Sequence, residues 1–252
     1  MRLLHEWRVL GLVLVIASLL TACATDAQKI READNARAFG ERFLREGQTS
    51  RALQQFLKAL ELNPDDPHIH YDLAFTYYRK GILDKAEFHL KEVVRLKPDY
   101  SSAYNFLGVI YFRTGRVDLA IESYNKALSN LLYLSPQDAR FNLGMAYLSR
   151  REYKKAAEQF ELAISIVPDY TAAYNNLGKA YEGLQDKVKA RQAYEKALEF
   201  APNFTEAHMN LGKLLYRSGD RRGAAKSFKE VVRLAPNSDM AAEAGRYLSR
   251  LK

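Results

Sequence analysis

The chain has 252 residues, 48% of them hydrophobic and 27% charged, a globular balance that excludes a disordered chain. Its formal net charge is +8, yet Lys and Arg are spread among Glu and Asp throughout, which reads as a solvated helical surface and gives no patch for nucleic acid. Cys23 is the only cysteine, so no disulfide can form within the chain.

The N-terminus reads as an address. Residues 1–8 are short and basic, and Val9 to Leu20 is an apolar, uncharged run. That run is too short to span a bilayer comfortably but suits the core of a signal peptide over 1–22. Leu20-Thr21-Ala22-Cys23 resembles the bacterial lipobox. The resemblance implies cleavage before Cys23, diacylglycerol on its thiol and a further acyl chain on its freed amine. No other cofactor is expected. Several acyl chains, at about 0.8 kcal/mol per buried methylene, make release slow. Ala24 stands where the enterobacterial sorting rule has Asp in proteins kept at the inner membrane, so the resemblance implies the outer membrane, with the folded part facing the periplasm. The alternative is an ordinary signal peptide, or an uncleaved anchor, with a chance cysteine. Trp7, the only tryptophan, falls in the segment expected to be removed. Residues 23–32 then form the lipidated cysteine and a polar tether.

From there the prolines keep time. Pro64, Pro98, Pro168, Pro202 and Pro236 are spaced by 34, 70, 34 and 34 residues, and 70 is two periods plus two residues. A 34-residue period predicts tetratricopeptide repeats, each a pair of antiparallel helices, A and B. The expected fold is all-α: a right-handed α-solenoid of six repeats (33–66, 67–100, 101–136, 137–170, 171–204, 205–238) with a capping helix over 239–252. In the fifth repeat, Tyr174, Leu177, Gly178 and Tyr181 share one face of helix A, and Ala190, Tyr194 and Ala197 one face of helix B. Position 8 is small in every repeat (Gly40, Ala74, Gly108, Gly144, Gly178, Gly212), which reads as close approach of helix backbones. Position 20 is alanine in all six: Ala52, Ala86, Ala120, Ala156, Ala190 and Ala224. Gly47, Gly81, Gly115 and Gly219 mark A-to-B turns, where Arg151 and Gln185 stand instead in repeats four and five. Asp66-Pro67 and Ser135-Pro136 read as capped helix starts.

The third repeat departs from the pattern. After Ala127-Leu128 it runs Ser129-Asn130-Leu131-Leu132-Tyr133-Leu134-Ser135-Pro136, two residues too long. An alanine-rich helix end, a Leu-Tyr segment, a proline and then Asn142-Leu143-Gly144 resemble the third-to-fourth repeat junction of type IV pilus secretin pilotins (the PilF/PilW/Tgl type). The resemblance implies an outer-membrane lipoprotein that binds a secretin subunit and promotes its membrane insertion and multimer assembly. The alternative is a periplasm-facing scaffold lipoprotein for peptidoglycan enzymes or for outer-membrane protein insertion.

A partner-binding groove is expected from helix A positions 5, 9 and 12. These are Tyr71, Phe75 and Tyr78 in repeat two, Asn105, Val109 and Phe112 in repeat three, and Phe141, Met145 and Leu148 in repeat four. They form a second apolar stripe beyond the one that builds the core, suited to an extended or helical segment of a partner. A bent superhelix or the cap helix could instead bury them. Repeat five offers Asn175, Lys179 and Glu182 there, and repeat one Arg37, Glu41 and Leu44. Asn142, Asn176 and Asn210 at position 6 could bond a peptide backbone or brace neighbouring helices. His68 and His70 point to different sides of a helix and do not suggest a metal site. No phosphate loop or paired catalytic groups appear, so neither an enzyme nor a small-molecule substrate is expected.

Overall fold

The computed structural model describes residues 26–251, and among them every regular element is a helix. The expected signal peptide and Cys23 lie outside the described residues. Helix α1 covers 26–45. It is followed by α2 (Thr49–Leu62), α3 (Pro67–Arg79), α4 (Leu83–Leu96), α5 (Ser101–Arg113), α6 (Val117–Ser129) and α7 (Pro136–Ser149). Then come α8 (Tyr153–Ile166), α9 (Thr171–Gly183), α10 (Lys187–Phe200), α11 (Thr205–Arg217), α12 (Arg221–Leu234) and α13 (Asp239–Arg250). Twelve helices make six A/B pairs, and α13 stands alone at the end. Residues 26–32, read as tether, are instead the opening of α1. Ala27, Gln28, Lys29, Arg31 and Glu32 are strong helix formers, and Gln28 bonds Glu32 at 2.9 Å. The described chain divides into two compact units, one up to Ile110 and one from Tyr111 on.

One rule builds each pair. The six position-20 alanines are all fully buried, as are the position-27 residues Ala59, Val93, Ala127, Ala163, Ala197 and Val231. The small residue at position 8 does not serve backbone contact, as its size suggests from sequence. It makes room for a ring. A Cβ on Gly40 would sit 2.5 Å from the Phe56 ring, on Gly144 2.7 Å from Phe160, on Gly178 2.5 Å from Tyr194, and on Gly212 2.7 Å from Phe228. Each ring is position 24 of the same repeat and is fully buried. Repeat two shows the complementary solution, with Ala74 at position 8 and the narrower Leu90 at position 24, both fully buried.

The A-to-B turns share a left-handed residue whether or not it is glycine. Gly81 has φ +75°, and Arg151 and Gln185, at the corresponding positions, have φ +60° and +62°. Backbone closure of the turn imposes this. Gly81 N–H donates to Tyr78 O at 3.0 Å, and Arg151 N–H to Leu148 O at 3.0 Å. At helix starts, Asp66 caps α3 by accepting from His68 N–H at 2.8 Å. Ser135 makes no side-chain cap on α7. Its ψ of 52° is not the extended backbone that aims an N-cap hydroxyl along the helix, and its carbonyl accepts from Asp138 N–H at 3.2 Å instead.

In the second unit, α13 closes the sequence of pairs. Met240, Tyr247, Leu248 and Leu251 pack against the core of α10 to α12. The Tyr247 ring stacks on Phe228 at 4.7 Å and meets Tyr216 edge-on at 5.1 Å.

Candidate functional site

The first unit holds an aromatic nest. On α3, Tyr71, Phe75 and Tyr78 recur at spacings of four and three and so share one face. All three converge on Phe106 of α5, with ring centroids 6.0, 6.4 and 5.2 Å away. Tyr71 also meets Tyr100 at 5.4 Å. Phe75 is 40% exposed, while Tyr71 and Tyr78 are half-buried. Asn105 and Val109, on the same helix as Phe106, are half-buried as well.

Beside the nest lies an ion pair that repeats one and two share. Arg37 donates through Nε to Asp72 Oδ2 at 2.8 Å and through Nη2 to Glu41 Oε1 at 2.7 Å. Burial pushes the Asp72 carboxyl up to about 6, outweighing the hydrogen bond and charge of Arg37 that act the other way. Two carboxylates thus face one guanidinium at the edge of an apolar surface.

In the second unit, Phe112, Phe141, Met145 and Leu148 are half-buried. Phe141, Met145 and Leu148 pack against the core of α8 and α9. Phe141 stacks on Tyr170 at 5.2 Å and leans on Phe160 at 5.8 Å. The expectation that these positions take no part in packing therefore does not hold for this trio. None of the nine expected groove residues is fully buried, and Phe75 is the most exposed of them.

The polar positions behave differently from their sequence reading. Asn175 is 1% exposed and faces no solvent. It accepts from Asn210 Nδ2 at 2.9 Å, while Asn176 Nδ2 donates to Ala172 O at 2.8 Å. Asn210 therefore braces α11 against α9 through Asn175, while the Asn176 bond stays within α9. Among the described residues, Asn175 Nδ2 and Asn176 Oδ1 are buried without a hydrogen-bond partner. Lys179 is paired with Glu206 at 2.5 Å, and Glu182 accepts from Tyr194 Oη at 2.6 Å.

His68 is exposed and His70 is buried, as their spacing requires. The partner of His70 is His89 on α4, Nδ1 to Nδ1 at 3.0 Å. His70 Nε2 lies 2.9 Å from Pro64 O, so Nε2 carries the proton and donates there. With His70 Nδ1 as the acceptor, His89 Nδ1–H is the donor between the two rings. Burial first, then the neighbouring His70 and Lys85, push His89 down to about 4. His208 repeats the motif at the same position of repeat six, with Nε2 2.8 Å from Pro202 O. Among the described residues, no group of three or more His, Cys, Asp or Glu could hold a metal ion.

Sequence reasoning missed Phe106, Tyr100, Asp72 and His89. Phe106 was visible as the aromatic exception at a position that is Asn in the next three repeats. His89 was not, because its pairing with His70 joins two helices.

Residues 40–81 match a TPR repeat family, and residues 67–100, 99–169, 171–204 and 205–238 match Tetratricopeptide repeat families. The structure of Pseudomonas aeruginosa PilF is similar, with a TM-score of 0.76 at 20% identity over 87% of this chain and 99% of that one. PilW, a widely conserved type IV pilus biogenesis factor, has a TM-score of 0.77 at 17% identity over 84% of this chain and 97% of that one. Among curated proteins, small glutamine-rich tetratricopeptide repeat-containing protein 2 of Mycosarcoma maydis is 28% identical over 101 residues, 40% of this chain and 29% of its own. The chain spans less than a third of the length of the curated relatives it matches. Four of these matches together cover residues 67 to 238 except Tyr170, on the period that the prolines set, and the chain belongs to the tetratricopeptide-repeat family, whose members are generally non-catalytic scaffolds for protein interaction.

Proposed function

We propose that this protein is an outer-membrane lipoprotein of the pilotin type, which captures a secretin subunit of the type IV pilus and promotes its insertion and assembly into multimers. The acyl chains on Cys23 would hold the repeats at the membrane. The Tyr71, Phe75, Tyr78 and Phe106 face would take a partner segment, raising its concentration where insertion occurs. The observation that carries the reading is the likeness in fold to PilF and PilW over most of all three chains. The exposed ring of Phe75 over Phe106 adds a surface for the partner.

The test is the state of the secretin in cells. Deletion of the protein should leave secretin subunits made but without heat- and detergent-resistant multimers on immunoblots. Cys23→Ser should remove the protein from outer-membrane fractions and reduce multimers likewise. Unchanged multimers beside altered cell-wall synthesis would overturn the proposal in favour of a peptidoglycan-enzyme scaffold.

A further inference from the structure

The junction between α6 and α7 is far more apolar at its surface than the other connections of this chain. Many of the other turns are polar, such as Asn63-Pro64-Asp65-Asp66, Lys97-Pro98-Asp99, Thr114-Gly115-Arg116 and Ser218-Gly219-Asp220, and the apolar residues exposed in others, Ile82 and Leu184, reach only 39% and 43%. Here Leu131, Leu132 and Leu134 project at 97%, 84% and 93% exposure, the most exposed large hydrophobic residues described. No charged residue occurs between Lys126 and Asp138, in a chain of which 27% is charged.

Exposure alone would not say what covers these side chains. The backbone beneath them does. Leu132 N–H donates to Asn130 Oδ1 at 2.9 Å, and Tyr133 N–H donates to Asn130 O at 3.1 Å. The tip of the loop therefore satisfies these donors within itself. A polar backbone group moved from water into hydrocarbon is costly unless its hydrogen bond goes with it. A protein partner can supply missing hydrogen bonds, whereas lipid cannot. An uncharged tip with leucines outward, a tyrosine among them and the Leu132 and Tyr133 donors closed internally suits the boundary between headgroups and acyl chains.

We infer that Leu131 to Leu134 form a membrane-inserting loop that seats in the outer acyl layer of a lipid bilayer. The loop is a contact in addition to the proposed anchor at Cys23 and does not depend on acylation. Because the tip bears no charge, its insertion rests on apolar burial and is insensitive to salt once the protein is on the membrane. Each leucine that leaves water contributes about a tenfold factor to the inserted population.

The sole tryptophan gives a direct readout. In the full chain with Trp7→Phe, Leu132→Trp places a single fluorophore at the tip, and Val188→Trp places one on the exposed face of α10 as a control. With phosphatidylethanolamine–phosphatidylglycerol vesicles, the emission of the loop tryptophan should shift to the blue. Brominated acyl chains should quench it, and the control tryptophan should show neither change. Adding Leu131→Ser and Leu134→Ser should lower the quenched fraction at unchanged melting temperature. Water-like emission with vesicles overturns the inference, as does a blue shift without quenching by brominated lipid. A blue shift without vesicles, or only on adding a secretin subunit, also overturns it and makes the loop a protein contact.

Discussion

The fit of glycine to ring can be tested as an exchange between repeats. Gly144→Ala places a Cβ 2.7, 2.9 and 3.0 Å from three atoms of the Phe160 ring. Favourable carbon contacts begin near 3.5 Å, so the ring must retreat by about 0.8 Å. It has little room to do so. Phe160 is fully buried, and Phe141 leans on it at 5.8 Å. Overpacking of this kind costs about 1–3 kcal/mol, and alanine recovers about 1 kcal/mol of helix propensity over glycine. The net loss should be at most about 2 kcal/mol, or a melting temperature lower by up to about 8 °C for a chain of this size. Phe160→Leu alone should cost roughly 1–2 kcal/mol through lost burial. The two together recreate the Ala74 and Leu90 pair of repeat two and should cost less than their sum by about 1–2 kcal/mol. The assay is urea unfolding followed by circular dichroism at helical wavelengths, with midpoint and slope both reported, since repeat arrays can lose cooperativity. Additivity within about 0.5 kcal/mol would refute the argument, because the alanine and the ring would then not be competing for one space.

Other expectations follow from single sites. Arg151→Gly should raise the melting temperature by about 1–3 °C, since relief of a left-handed non-glycine residue exceeds the added freedom of the unfolded chain, and Gly115→Ala should lower it. The folded His89 ring stays neutral to about pH 4 while the unfolded one titrates near 6.5, so the unfolded state binds more protons between these values. That contribution is therefore full above about pH 6.5 and lost as pH falls toward 4, worth roughly 2–3 kcal/mol after solvent screening, and His89→Gln should flatten a plot of unfolding midpoint against pH. Asp72, raised to about 6, acts with the opposite sign, and its contribution is lost as pH rises through 6. Phe75→Glu should weaken secretin capture with little change in melting. Phe141→Glu should instead unfold the fourth repeat at lower temperature, because Phe141 packs on Phe160 and Tyr170.

Most of the fold was legible because the repeat writes each packing position six times. Ala52 alone would be one alanine in a helix, but its five counterparts at the same phase mark a column of buried small residues. What periodicity could not convey was the partner of each position. Position 8 looked like a backbone contact until the ring opposite came into view, and that ring lies in the other helix. The same blindness hid His89 behind His70, and Phe106 behind the stripe on α3. The groove was legible as a stripe but not as a division between exposed and packed members. Phe141 is packed by Phe160 and Tyr170, which sequence spacing does not place, whereas among the described rings Phe75 meets only Phe106 and stays exposed. Asn175 shares a register position with the half-buried Tyr71, yet Asn210 in the following repeat draws it inward.

Helix α13 also determines how this protein behaves toward copies of itself. A stack of similar units has two unlike ends, and each end is a template for the next unit. Tyr247 on Phe228, with Met240, Leu248 and Leu251 around it, occupies the place that another repeat would take. Without that plug, the end of one molecule would complement the beginning of another. The contact would be head-to-tail, and nothing in it would close a ring, so growth would run to filaments. A change that unseats this twelve-residue helix should therefore favour head-to-tail association.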